Sequence, residues 1–177
     1  MMKNILLAVS MLAAFVFADS HAVTANIYGN NNVKLVEQSS VPVAVTGTAV
    51  ETILSTLNIP GNSMYLNGGM RIHILASNTN NANNKTIKLK LAGNILMTNV
   101  VTATNSAVYE VGVFNRGVIN SQIASPATGN TSFGTGGAFT LTSVDMSKDQ
   151  TLTVTCQLAV TTDTCQLEEI TVEVLNP

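Results

Sequence analysis

Between Thr52 and Gly93 apolar and polar residues alternate in short runs: TILSTLNIP, MRIHILAS and KTIKLKLAG. Each is closed by Pro, Gly or Asn. A side-chain period of two with turn residues at both ends specifies β-strands that bury one face. The pattern predicts a strand from Val50 to Ile59, with Ile53, Leu57 and Ile59 facing a core. Pro60 ends it because proline has no N–H to give to a ladder. Asn67-Gly68-Gly69 then turns the chain into a strand with Met70, Ile72 and Ile74 inward and Arg71, His73 and Leu75 outward. After the run NTNNANN, Ile87, Leu89 and Leu91 form the next inner row. Val108 to Phe114 is a fourth strand, turned by Asn115-Arg116-Gly117. Gly129 to Gly137 is a loop, Ala138 to Val144 a further strand, and residues 145–149 a turn.

The C-terminal region is predicted as a hairpin. Leu152, Val154, Cys156 and Leu158 point inward, and after a turn at Thr161-Thr162-Asp163 so do Cys165 and Leu167. Ile170, Val172 and Val174 continue the inner row in the opposite parity. A one-residue slip reverses every side chain of a strand, so an extra residue is needed at Glu168-Glu169, and a β-bulge is predicted there. Some eight strands with no helical period between them give an all-β fold, a jelly-roll-like antiparallel β-sandwich, over residues 48–177.

Residues 23–47 are thin in core residues and read as an N-terminal arm or attachment segment with two short strands, followed by a linker. Their short apolar runs are Ile27-Tyr28 and Val33 to Val36, with Ser39-Ser40-Val41-Pro42 as the linker. Residues 1–22 have the pattern of a secretory leader: Lys3, an uncharged apolar stretch from Ile5 to Ala18, and small residues at Ser20 and Ala22 before a cut. The stretch is short of the ~20 apolar residues of a membrane-spanning helix. An uncleaved anchor or an apolar arm inside a large assembly are the alternatives. With the leader cleaved after Ala22, no stable membrane anchor is expected.

Composition narrows the function. Thr, Val, Asn and Gly suit pleated, half-buried strands and their turns, as in extracellular or virion proteins. Aromatic residues are only 5% of the chain and Trp is absent, a poor supply for a saccharide or ligand cleft. Eight Lys or Arg against ten Asp or Glu leave no basic excess for phosphates, so no nucleic-acid partner is expected. Lys85, Lys88 and Lys90 cluster on one strand; Lys88 and Lys90 share a face and read as a solvated outer surface. The short, charge-poor strands leave apolar area that closed association would hide, and a homo-oligomer, a trimer, is expected.

Candidate chemistry is sparse. His73 is the one histidine beyond the leader, and no Cys, His or carboxylate stands at ligand spacing from it, so no metal, cofactor or activated nucleophile is expected. The glycine run lacks the strand-then-helix setting of a phosphate loop. Glu168-Glu169 is the one adjacent carboxylate pair and guards a sheet edge better than it serves an acid–base reaction; no enzyme activity is expected. Cys156 and Cys165 lie close to opposite each other on the predicted hairpin. They form a disulfide in an exported chain and remain buried thiols in one assembled in the cytoplasm. Asn78, Asn80, Asn81, Asn83 and Asn84 make the candidate recognition loop. Asparagine also satisfies turns through its own backbone, so a purely structural role fits the same residues.

A set of motifs carries a resemblance: Ile59-Pro60; Asn67-Gly68 before Met70-Arg71-Ile72; Asn80 to Thr86; Phe114 to Gly117 with Asn120-Ser121-Gln122; and Asp149 to Val154. In this order they resemble a type of minor structural protein of tailed phages and prophages, over roughly residues 48–177. The resemblance implies a β-sandwich serving as head decoration, tail fibre or appendage module, with virion proteins or a host surface as partners and no catalytic residue. The leader and the cysteine pair favour instead a secreted bacterial surface or adhesin-type β-sandwich.

Overall fold

A computed structural model describes residues 32–125 and 139–176. Among them eleven strands follow in chain order: β1 (Val33–Ser39), β2 (Val43–Thr46), β3 (Thr52–Ile59), β4 (Gly69–Asn78), β5 (Lys85–Leu91), β6 (Asn94–Val101), β7 (Ser106–Asn115), β8 (Gln122–Ala124), β9 (Thr140–Thr142), β10 (Gln150–Leu158) and β11 (Thr164–Leu175). All their pairings are antiparallel. One sheet has the order β1-β11-β4-β7-β8-β9, with β2 also on β11; the other is β3-β10-β5-β6. From β2 to β5 the chain changes sheet at every step or every second step, and β10 and β11 re-enter as interior strands, one per sheet. That is a jelly roll, extended at one edge of the larger sheet by β8 and β9.

The period-two pattern is what closes the sandwich. Met70, Ile72 and Ile74 of β4, Leu89 and Leu91 of β5, Val111 and Val113 of β7, Leu152 of β10 and Val172 of β11 have no exposed surface. They meet between the two sheets and belong to one apolar core. Ala92 and Gly93 both take positive φ, 48° and 78°, in the two-residue turn between β5 and β6. The bulge in β11 is present: its ladder to β4 shifts between Leu167 and Glu169, which restores Ile170, Val172 and Val174 to the interior.

Several expectations change. β10 and β11 are not arms of a hairpin. They lie in opposite sheets, β10 between β3 and β5, β11 between β1 and β4, and the chain turns a corner between them. Period-two alternation is satisfied equally by two strands side by side and by two facing each other across a core. Ile53 is exposed rather than inward, because β3 carries its own bulge: Val154 pairs Ser55 and Thr155 pairs Ile53, so Leu54 is the extra residue and turns into the core. Residues 33–46, expected as an arm with short strands and a linker outside the sandwich, instead supply β1 and β2 to its larger sheet; their apolar content is low because they form its edge, and only Val45 is buried. Lys88 and Lys90 share the partly exposed outer face as expected, and Lys85 lies on the other side of the strand. It shares the parity of Ile87 and is fully buried. The leader, residues 1–22, and the loop Gly129 to Gly137 lie outside the described residues.

Candidate binding face

The outer face of the larger sheet carries side chains that the core does not use. One row crosses all six strands in register: Val33 opposite Leu175, Leu175 opposite Gly69, Gly69 opposite Phe114, Phe114 opposite Ile123 and Ile123 opposite Leu141. Phe114 is 41% exposed at the middle of this row. A Cβ on Gly69 would fall 2.3 Å from one edge of its ring, and a Cβ on Gly112 would fall 2.7 Å from the other. The ring therefore spans two side-chain-free positions on adjacent strands and rests on bare backbone. Any larger residue at either glycine would lift it.

Two residues along β4 and β11 the face becomes polar. Arg71 of β4 donates through Nε and Nη2 to Oε2 of Glu173 on β11, at 2.9 and 2.8 Å. His73 stands next, its Nε2 3.6 Å from Glu110 of β7 and its Nδ1 3.9 Å from Glu169 of β11. Thr171 donates its hydroxyl to Glu169 at 3.2 Å. Arg71, His73, Glu110, Thr171 and Glu173 line an open groove of about 420 Å³. Three carboxylates face one guanidinium and one imidazole here, so the face leans negative. Among the described residues no group of His, Cys, Asp and Glu is placed to hold a metal ion.

The asparagine loop is built differently. Asn81 turns its side chain inward, donating to Asp163 Oδ1 at 2.6 Å and accepting from Lys85 Nζ at 2.5 Å. Lys85 Nζ lies 3.8 Å from Asp163 Oδ2, and both side chains are almost wholly buried. The Asn83 N–H closes a local turn onto Asn81 Oδ1, the Asn84 carbonyl accepts from the Ala159 N–H, and Thr79 exchanges two hydrogen bonds with Thr164. Asn78 pairs through its N–H with the Asn105 carbonyl while its side-chain amide is buried without a partner. Asn80 and Asn84 are exposed. The loop is thus tied to the β10–β11 corner, and its five asparagines do not form one surface. Cys156 and Cys165 are bonded to each other at that corner, with 6.6 Å between their Cα atoms, and so join the two sheets.

Two further clusters are structural. On the outer face of the smaller sheet, Glu51 accepts from Lys88 at 2.6 Å, from Thr155 at 2.7 Å and from Lys90. The two ammonium groups hold its carboxyl down to about 2. Asn115 and Gln122, both from the phage-like motifs, form a buried lock. Gln122 Nε2 donates to Asn115 Oδ1 at 2.9 Å and to the Val144 carbonyl at 3.0 Å, and its Oε1 accepts from the Val144 N–H at 2.9 Å. Asn115 Nδ2 donates to the Tyr65 carbonyl at 2.8 Å. These bonds fix the loops at one end of the sandwich, where Asn62, Met64, Tyr65, Leu66, Asn67 and Ile119 line a cavity of about 500 Å³ and Tyr65 and Leu66 are exposed.

Sequence reasoning placed Arg71 and His73 outward correctly but found neither the groove nor the Phe114 platform. The available signal was a glycine on each of two strands, Gly69 and Gly112, within reach of a lone aromatic. Register decides that coincidence, and register is not written in one strand alone.

No family model matches the chain, and no curated protein matches it. Solved structures similar to it include the CBM36-1 domain of a multidomain xylanase from the hindgut metagenome of Trinervitermes trinervoides, 11% identical with a TM-score of 0.40, covering 73% of this chain and 74% of that one. The CBM2 module of the evolved Dit of Lactobacillus casei BL23 phage J-1 is 9% identical with a TM-score of 0.40, covering 80% and 96%. Lectin I of Ulex europaeus, in complex with the methyl glycoside of α-L-fucose, is 9% identical with a TM-score of 0.39, covering 82% and 93%. These similarities are too remote to assign a ligand or a residue role. From its own strand order the chain is an all-β, antiparallel jelly-roll sandwich.

Proposed function

We propose that the chain is a non-enzymatic binding module of a phage or prophage particle, serving in decoration, a fibre or an appendage. The observation that carries the binding role is the outer face of the larger sheet. It holds an exposed aromatic ring and a polar groove on strands whose opposite face is fully buried, so a ligand meets a surface fixed in advance. Its acidic groups lie on an open sheet and are engaged with Arg71, His73 and Thr171 rather than paired across a closed cleft. The order of the five sequence motifs supports the particle, and exposed Tyr65 and Leu66 at the sandwich end offer apolar area for copies of the chain or for neighbouring virion proteins.

The test is peptide mass spectrometry of purified particles against cell envelope and culture medium. Stoichiometric copies in particles are the expected result. One observation favours a second reading, a secreted bacterial surface module: the Cys156–Cys165 bond suits an oxidising compartment. A chain absent from particles, starting at Val23 and disulfide-linked, would replace the first reading with the second.

A further inference from the structure

Phe114 and the groove beside it form one continuous surface, and we propose that it binds a neutral saccharide. The proposal rests on taking this face as the binding face; the location of the chain in a particle does not enter it.

The ring is positioned as a platform. Gly69 and Gly112 remove the two side chains that would otherwise hold it off the sheet, so one ring face lies on backbone and the other is left to a ligand. The face of an aromatic ring is electron-rich and attracts weakly positive C–H groups. The axial C–H groups on one side of a pyranose present that charge on a flat surface of matching size. Ile123 and Leu175 flank Phe114 in the same row, so the stacked sugar meets apolar neighbours on both sides.

The groove supplies what the other edge of a sugar needs. Two residues along β4 from Gly69, roughly 7 Å at the rise of an extended strand, come Arg71 and Glu173, and then His73 with Glu110 and Thr171. Donors and acceptors alternate across three strands. Vicinal hydroxyls both give and take hydrogen bonds, and a guanidinium–carboxylate pair offers both to neighbouring hydroxyls. Charge selects the ligand further. Glu110, Glu169 and Glu173 outnumber the single fixed cation Arg71, so a uronate, sialylated or sulfated glycan meets repulsion where a neutral one meets none.

The test is calorimetric titration of the folded chain with neutral manno-, galacto- and N-acetylglucosamine oligosaccharides of four to six units, and with sialylated and sulfated counterparts. At least one neutral series is expected to bind, and Phe114→Ala to weaken it by about tenfold. Because Phe114 also covers backbone, Glu110→Gln serves as a second variant that leaves the ring in place; it is expected to weaken binding about threefold with the melting temperature unchanged. Overturning results are no binding of any neutral series by the unaltered chain at about 10 mM, tighter binding of the acidic glycans, or neutral binding that both variants leave untouched. A chain found outside particles that still binds through Phe114 keeps this site and loses the particle. A particle component that binds no neutral saccharide does the reverse.

Discussion

Lys85 has no exposed surface, and its ammonium group is held by Asn81 and Asp163. Removing one member of a buried pair leaves the other charge uncompensated, so Lys85→Met is expected to cost about 3–5 kcal/mol in urea denaturation. Adding Asp163→Asn should recover more than half of that loss; a double variant as weak as the single one would show that the pair's charge is not what matters. Glu51 behaves differently, because it stands near solvent between two lysines. Its carboxyl is held at about 2 against an ordinary 4.5, so its contribution is fully present above 4.5 and is lost as pH falls towards 2. The melting-temperature gap between the chain and Glu51→Gln should be open at pH 7 and closed near pH 2; a gap that persists in acid would contradict the ion-pair account. Neither role was legible in the sequence in the same degree. Lys85 shares parity with Ile87, Leu89 and Leu91, so its burial could be read from its own strand, but a lysine on an apolar face needs partners, and Asn81 and Asp163 are brought to it by other elements. His73 was legible as an outward residue, while its neighbours Glu110 and Glu169 came from strands that only pairing could reveal.

At the scale of elements, alternation carried most of the information. The inner rows of β4, β5, β10 and β11, and the bulge in β11, follow from period two alone. The pattern failed where a bulge lay within a single apolar run. In β6 the register shifts between Ile95 and Met97, so Leu96 and Met97 are both buried and no clean alternation marks the strand. The same device hides Leu54 in β3. The lock formed by Asn115 and Gln122 shows what the phage-like motif residues do locally: they satisfy backbone groups of loops that carry no ladder of their own. Gln122→Ala strands the Val144 N–H and carbonyl in the interior and is expected to cost about 1–3 kcal/mol. Hydrogen exchange should localise the effect to residues 116–122 and 143–147; uniform loss of protection across both sheets would show that the lock is not local.

For the whole molecule, the corner between β10 and β11 is the decisive feature. The sequence made both strands plain but showed them as a hairpin, because the pairing of each with earlier strands is a long-range fact. The Cys156–Cys165 bond therefore ties sheet to sheet rather than strand to neighbouring strand. Replacing both cysteines with alanine is expected to cost about 2–4 kcal/mol, mainly by freeing the unfolded chain; a variant as stable as the parent under non-reducing conditions would contradict this. The strand order has a further consequence, for synthesis. β10 and β11 are interior strands of their sheets and emerge last among the described strands. While the ribosome is still at work on residue 149, β3 and β5 have no strand between them, and β1 and β4 have none either. Neither sheet can close in stages from the N-terminus, as a hairpin-built protein does. The nascent chain must carry apolar rows and open strand edges until β10 and β11 have emerged, so a stop before residue 150 is expected to leave no closed sandwich.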